Sequence, residues 1–137
     1  MNSFKDKVEM EMSECDRSSA LPSKATLAMS ASAMGMTFGP LLREYLSSFG
    51  YLGRGDVELY GINERQGLNS DMVRTTLNLL EFAPGCRGYA VIDNRGDGEY
   101  ILCDSSDQIF AMPNSPTENP RPLGVSLDVY VISRLKG

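Results

Sequence analysis

The chain has 137 residues, of which 42% are apolar and 23% charged, and its formal net charge at pH 7 is −5. This length and composition predict one domain with a sizeable core. The acidic balance argues against general affinity for nucleic acid or anionic membranes, and no apolar run approaches the roughly 20 residues that cross a bilayer. Three cysteines and no histidine predict reduced structural thiols and disfavour a metal site.

The N-terminal segment mixes charged and apolar residues and has no signal-peptide core, so we expect a cytoplasmic protein. Residues 3–15 predict an acidic helix with Phe4, Val8 and Met12 on its apolar side, and residues 16–22 predict a polar linker. We therefore divide the chain into this acidic helix with its linker, residues 1–22, and a single α+β domain, residues 23–137.

Two helices follow, and the second has the stronger pattern. Residues 23–34 predict a helix that has Ser23 as its N-cap. Residues 37–49 predict a helix because six apolar side chains recur at helical spacing, with Pro40 in the first turn and Gly50 at the end. The apolar face of the first helix is Leu27, Ala31 and Met34, and that of the second is Phe38, Leu41, Leu42, Tyr45, Leu46 and Phe49.

The middle of the chain predicts one strand and one helix. After a turn at residues 51–56, the alternation at residues 57–62 indicates a strand, in which Gly61 marks a bulge or a close contact. Residues 71–82 predict a helix capped by Asn69 or Ser70, with Asp71 favourable at its positive end. Its apolar face consists of Met72, Thr76, Leu79 and Leu80.

Three short apolar runs separated by turn residues occupy residues 89–92, 100–103 and 109–112. They predict an antiparallel meander, and the glycines at 96 and 98 suit its first hairpin. The first two runs lack clean alternation, which indicates that both sheet faces are covered. The predicted fold class is therefore α+β: a single domain with a mostly antiparallel central sheet, a β-meander in the C-terminal half, and flanking helices.

The C-terminal part predicts a loop and a last helix. Four prolines between residues 113 and 122 exclude a central strand there. Residues 126–136 then predict a helix with basic residues near its C-terminus. Its inward side chains are Leu127, Tyr130, Val131 and Leu135.

The residue types indicate no catalytic apparatus. No histidine is present to act as a base for a serine or cysteine nucleophile, and there is no phosphate-binding loop. Residues 93–98 resemble a calcium loop only faintly, because the cation Arg95 and the short acid Asp104 stand where better ligands belong. We therefore predict a non-enzymatic protein without a metal or cofactor.

Four segments occur in an informative order. They are Phe-Gly-Pro-Leu-Leu-Arg-Glu-Tyr-Leu-Ser-Ser-Phe-Gly at residues 38–50, Gly-Asp-Val-Glu-Leu-Tyr-Gly-Ile at 55–62, Gly-Tyr-Ala-Val-Ile at 88–92 and Gly-Asp-Gly-Glu-Tyr-Ile-Leu-Cys-Asp at 96–104. In this order they resemble the SUKH superfamily over residues 24–135. That group includes bacterial immunity proteins and is similar to yeast regulators of cell-wall synthesis.

The resemblance implies an α+β fold and a non-enzymatic role, most often binding and neutralising the catalytic domain of a polymorphic toxin, commonly a nuclease. An acidic inhibitor would associate faster with the basic cleft of such a domain. Two alternatives stay open: an interaction or regulatory module of the same fold with another protein partner, and an enzyme or small-ligand binder.

Acidic residues at turns and strand ends form the predicted partner-binding face, because recognition residues concentrate in loops on a rigid scaffold. The opposing interpretation is that these acids are an ordinary solvated rim. The meander would bring together the four of these acids that lie between residues 97 and 107. The predicted residues are Asp56, Glu58, Asp97, Glu99, Asp104 and Asp107.

Overall fold

The computed structural model describes residues 3–11, 15–96 and 98–136. It has the predicted single-domain α+β fold. In chain order its elements are α1 (Phe4–Glu11), β1 (Asp16–Arg17), α2 (Lys24–Met34), α3 (Pro40–Phe49), β2 (Leu52–Arg54), β3 (Val57–Leu59), α4 (Asp71–Phe82), β4 (Ala90–Asn94), β5 (Tyr100–Cys103), β6 (Gln108–Ala111), β7 (Arg121–Ser126) and α5 (Leu127–Lys136), with short 3-10 helices at Gly67–Asn69 and Pro84–Cys86.

The strands form two antiparallel sheets, one with the order β1-β2-β3 and one with the order β4-β5-β6-β7. The predicted meander is confirmed as β4, β5 and β6, and β7 adds a fourth strand to it. A hydrogen bond from the Tyr60 N–H to the Ile92 carbonyl, at 2.8 Å, joins the chain just after β3 to β4. The first sheet is thereby held beside the second.

Two predictions about irregular segments are wrong. The turn at residues 51–56 contains β2, whose Leu52 is fully buried, and the reversal is confined to the residues after Arg54. The linker at residues 16–22 begins with β1, which pairs with Leu52 and Gly53.

The predicted loop at residues 113–122 is confirmed over residues 113–120, and no central strand runs through it. Its last two residues belong to β7, which accommodates Pro122 because it is an edge strand, where proline is tolerated.

Helix α3 lies at the centre of the larger core, although it begins at Pro40 rather than at residue 37. Its spacing of apolar residues places four side chains in the interior: Leu42, Tyr45, Leu46 and Phe49. Helix α1 packs against it, and the Phe4 ring lies 6.5 Å from the rings of both Tyr45 and Phe49. The N-terminal helix therefore shares one core with the rest of the chain; Met12, predicted for the same face, lies outside the described residues.

The close contact predicted for Gly61 is present. A Cβ atom at this position would overlap the carbonyl oxygen of Gly50. The same carbonyl accepts a hydrogen bond from the Ile62 N–H at 3.0 Å. Glycine is required here because the end of α3 and the chain after β3 approach each other through their backbones.

The inward face of α2 is rotated from the predicted one. Its buried residues are Thr26, Ser30 and Met34, whereas Leu27 and Ala31 are half-buried. The predicted cap is confirmed, because the Ser23 hydroxyl accepts a hydrogen bond from the Thr26 N–H at 3.1 Å. Glu64 completes it: its Oε1 accepts from the Ser23 N–H and its Oε2 from the Thr26 hydroxyl, both at 2.6 Å.

The hydrogen bonds that Glu64 accepts lower its pKa from the ordinary value of 4.5, and the one from the Thr26 hydroxyl has the largest effect. A carboxylate whose pKa is lower in the folded state stabilises the fold above its unfolded pKa, and that contribution is lost as the pH falls through the folded pKa. We expect Glu64→Gln to lower the melting temperature at pH 7, with a difference from wild type that shrinks below pH 4.5. Thermal unfolding between pH 7 and a pH below 4.5 measures the difference in melting temperature, with Glu81→Gln at an exposed position as the control. A difference between variant and wild type that is as large below pH 4.5 as at pH 7 would contradict the expectation.

Candidate partner-binding surface

The six predicted acids do not lie on one element. Asp56, in the β2–β3 turn, and Glu58, in β3, are exposed in the three-stranded sheet. Glu99, which is also exposed, belongs to the hairpin between β4 and β5. Asp104 is half-buried in the turn between β5 and β6. Asp97 lies outside the described residues.

The meander does not gather its acids into one patch. Glu99 precedes β5 and Asp104 follows it, five positions later. At about 3.3 Å per residue, they lie about 16 Å apart along the strand. Asp104 also has a local task, because its Oδ1 accepts hydrogen bonds at 2.9 Å from the backbone N–H groups of Ser106 and Gln108. This carboxylate shapes the turn between β5 and β6.

The prediction that Asp107 belongs to a solvent-facing binding surface is wrong, since the residue is only 4% exposed. Its two carboxylate oxygens accept hydrogen bonds from the N–H groups of Leu41 and Leu42 at 2.9 and 3.0 Å. The N-cap residue of α3 is Gly39, which has no side chain to do this. Asp107 therefore caps α3 from across the fold, where a negative charge also suits the helix dipole.

Asp93 is a second buried acid, with 1% exposure. Its Oδ2 accepts from the Tyr130 hydroxyl at 2.6 Å and from Arg134 Nε at 2.8 Å. Burial is the main cause that raises the pKa of Tyr130, and the hydrogen bond to Asp93 raises it further. The Asp93 Oδ1 accepts a third hydrogen bond, from the Asn94 N–H at 2.8 Å. This carboxylate therefore joins β4 to α5 and has three protein donors.

Glu58 lines a polar pocket together with an acid that the sequence reasoning treated only as part of a helix start. Asp71 begins α4 and faces the same pocket, whose volume is about 260 Å³. Neither carboxylate forms an ion pair within residues 3–11, 15–96 and 98–136. The lining has no basic side chain; the other residues are Tyr51, Leu59, Gly61, Asn63 and Gln66. We call this site the acidic pocket.

The local structure explains why these two acids converge. Ser70 is buried before the first turn of α4, and its hydroxyl accepts a hydrogen bond from the Asn63 N–H at 3.1 Å. The Met72 N–H donates to the Gly61 carbonyl at 3.2 Å. These contacts hold the start of α4 against the chain that follows β3, so Asp71 and Glu58 line the same pocket. The link depends on tertiary contacts, and no sequence pattern connects positions 58 and 71.

The acidic pocket is smaller than the roughly 300–1,000 Å³ usual for sites that enclose a whole small molecule. Its size and charge suit the end of one long basic side chain. Among the residues described, no group of three or more Cys, Asp or Glu side chains is arranged to hold a metal ion. None of the described helices is long and apolar enough to cross a membrane.

The cysteines do not offer a nucleophile at this surface. All three are free; Cys86 and Cys103 are buried, and Cys15 is half-buried. Burial raises the pKa of each thiol, Cys103 included, so the reactive thiolate is disfavoured. The chain matches no family model, and a search of curated proteins gives no match.

Proposed function

We propose that this chain is a cytoplasmic, non-enzymatic immunity-type protein that binds and neutralises the catalytic domain of a polymorphic toxin, such as a nuclease. The observation that carries the proposal is the acidic pocket, which Glu58 and Asp71 both line and in which neither forms an ion pair with any described residue. The resemblance of residues 24–135 to the SUKH superfamily supports the class of partner. The net charge of −5 supports a basic one.

The acidic pocket is suited to a lysine or arginine of the partner. Two carboxylates in a concave site raise the local negative potential, because the surrounding protein excludes water. An arginine can meet carboxylates through paired N–H donors, which fixes its orientation as well as its position. Asp56, two residues before Glu58 and exposed, adds charge at the rim. The partner would therefore anchor one basic side chain in the pocket and meet further acids around it.

Charge reversal of the acidic pocket tests this site. We expect Glu58→Lys with Asp71→Lys to reduce the association rate with the partner by tenfold or more, and to weaken its dependence on salt. The partner is first captured from the native cell with the wild-type chain and identified by mass spectrometry, and the rates are then measured with the purified pair. Circular dichroism checks that the variant folds.

A matched control separates a local effect from the loss of net charge. Glu81→Lys with Glu118→Lys makes the same change in charge at two exposed positions outside the pocket. Equal effects of the two double variants would mean that only overall charge matters. Wild-type rates for the pocket variant would refute the site. The hairpin acids Asp97 and Glu99 stay a separate prediction, tested in the same assay by reversing both.

The class of partner is tested by toxicity. The captured domain is expressed alone and then together with the wild-type chain. Growth arrest that the chain relieves is the result expected of an immunity protein. A captured domain that is harmless would favour the alternative, an interaction or regulatory module with another protein partner.

A further inference from the structure

A second concave surface lies between the edge strand β7 and helix α5. This groove has a volume of about 450 Å³. The groove is lined by two arginines and by residues of both elements: Arg95, Arg134, Leu123, Val125, Val129, Tyr130 and Ser133. We call it the arginine groove. None of its lining residues belongs to the acidic pocket.

The arginine groove is positive although the chain as a whole is negative. Arg134 is held in the wall by its hydrogen bond to Asp93, so its charge is largely balanced. Arg95 is exposed, and its guanidinium has no hydrogen bond or ion pair in the part of the chain that the structure describes. Among the described residues, no carboxylate lines the groove. The exposed Arg95 cation therefore lies at a concave surface.

The same groove contains two of the exposed large apolar side chains. Leu123 is 41% exposed and Val129 is 53% exposed. Leu123 belongs to the strand β7 and Val129 to the helix α5. Burying both side chains in a complex would remove apolar surface from water and so favour binding. An occupant that contacts both the exposed apolar side chains and the Arg95 cation needs an apolar side chain next to an acidic one.

We propose that the arginine groove binds a segment of a partner protein that places a carboxylate side chain against Arg95 and an apolar side chain between Leu123 and Val129. The proposal does not depend on the toxin-binding function above. A protein segment is favoured over a free small anion because exposed apolar side chains of two elements line the groove together with the cation. The groove also runs beside β7, the terminal strand of its sheet, where an extended segment can lie.

Selection from a library of short random peptides tests this proposal with the full chain. Peptides displayed on phage are panned against the immobilised protein, and the enriched sequences are synthesised. We expect enrichment of Asp or Glu next to an apolar residue, and binding that falls about tenfold with Arg95→Glu. Selection on Arg95→Glu should instead enrich Lys or Arg. Amide chemical shifts should change in β7 and α5 when a selected peptide binds.

The control is Arg74→Glu, which makes the same charge change at an exposed arginine of α4 outside the groove. Peptides selected on the wild type should bind this variant unchanged. The proposal is overturned if no peptide is enriched, if Arg95→Glu binds the selected peptides as tightly as wild type, or if the shift changes lie away from β7, α5 and the β4–β5 hairpin that contains Arg95. It is also overturned if free glutamate competes at the concentration at which the peptide binds, which would identify a site for small anions.

Discussion

Replacing Asp107 by alanine is expected to destabilise the fold by about 2–4 kcal/mol. The substitution removes two charge-assisted hydrogen bonds to the N–H groups of Leu41 and Leu42, and losing a cap of this kind costs about 0.5–2 kcal/mol. Leu42 is fully buried, so its unpaired N–H adds a desolvation penalty. Asp107 also has a φ of 60°, a left-handed conformation that costs alanine roughly 1–2 kcal/mol. Urea denaturation measures the change.

Two further substitutions at this position separate the cap from the backbone strain. Asp107→Gly also removes the cap but adopts a positive φ freely, so we expect it to lose about 1 kcal/mol less than alanine. Asp107→Asn keeps one acceptor oxygen and tolerates this conformation, and should lose least. Exposed Asp56→Ala is the control and should stay within about 0.5 kcal/mol of wild type. If Asp107→Ala stays in that range too, Asp107 does not cap α3.

Replacing Asp93 by alanine is expected to cost about 2–4 kcal/mol. Removing one partner of a buried ion pair costs about 3–5 kcal/mol, because the remaining charge is left without compensation. The Arg134 side chain is 26% exposed, so water can solvate part of its charge and the expected loss is smaller. The Tyr130 hydroxyl loses its acceptor as well. Equilibrium unfolding in urea at pH 7 gives the free energy.

The source of that cost can be checked at the partner residues. In the Asp93→Ala background, Arg134→Met removes the unpaired cation and should restore part of the lost stability. Tyr130→Phe alone removes one hydrogen bond and should cost about 1 kcal/mol. Arg134→Met alone gives the effect of that substitution in the wild-type background. If it lowers stability by the same amount in the Asp93→Ala background, the two residues are energetically independent.

The elements that were predicted correctly are those whose pattern lies within one short segment. Helix α3 follows from apolar residues at helical spacing, and α4 and α5 were placed within a residue of their observed bounds. The strands of the meander follow from short apolar runs between turn residues. The N-cap of α2 is likewise local, since Ser23 caps a residue three positions later. In each case the pattern that identifies the element lies within one short segment, so residue order alone predicts the element.

The strands β1 and β2 were missed because neither has a pattern of its own. Two polar residues of β1 pair with two residues of β2 that include a glycine. Such short segments become strands only when partners that are distant along the chain satisfy their backbone groups. The strand β7 was not predicted for a related reason: the prolines exclude only a central strand, and only the tertiary structure shows that this segment lies at the edge of its sheet.

The roles of the acidic residues were decided by the tertiary structure. Composition determined that the chain is acidic, and turn chemistry located many of its acids, but all of them were expected to face solvent. Asp107 is instead buried at the N-terminus of α3, where it accepts a hydrogen bond from Leu41, 66 positions away in sequence. Asp93 is buried against α5. Glu58 meets Asp71 because Ser70 and Gly61 hold α4 against β3. Local sequence defines which residues carry charge; burial and long-range pairing decide whether that charge stabilises the fold or stays available to a partner.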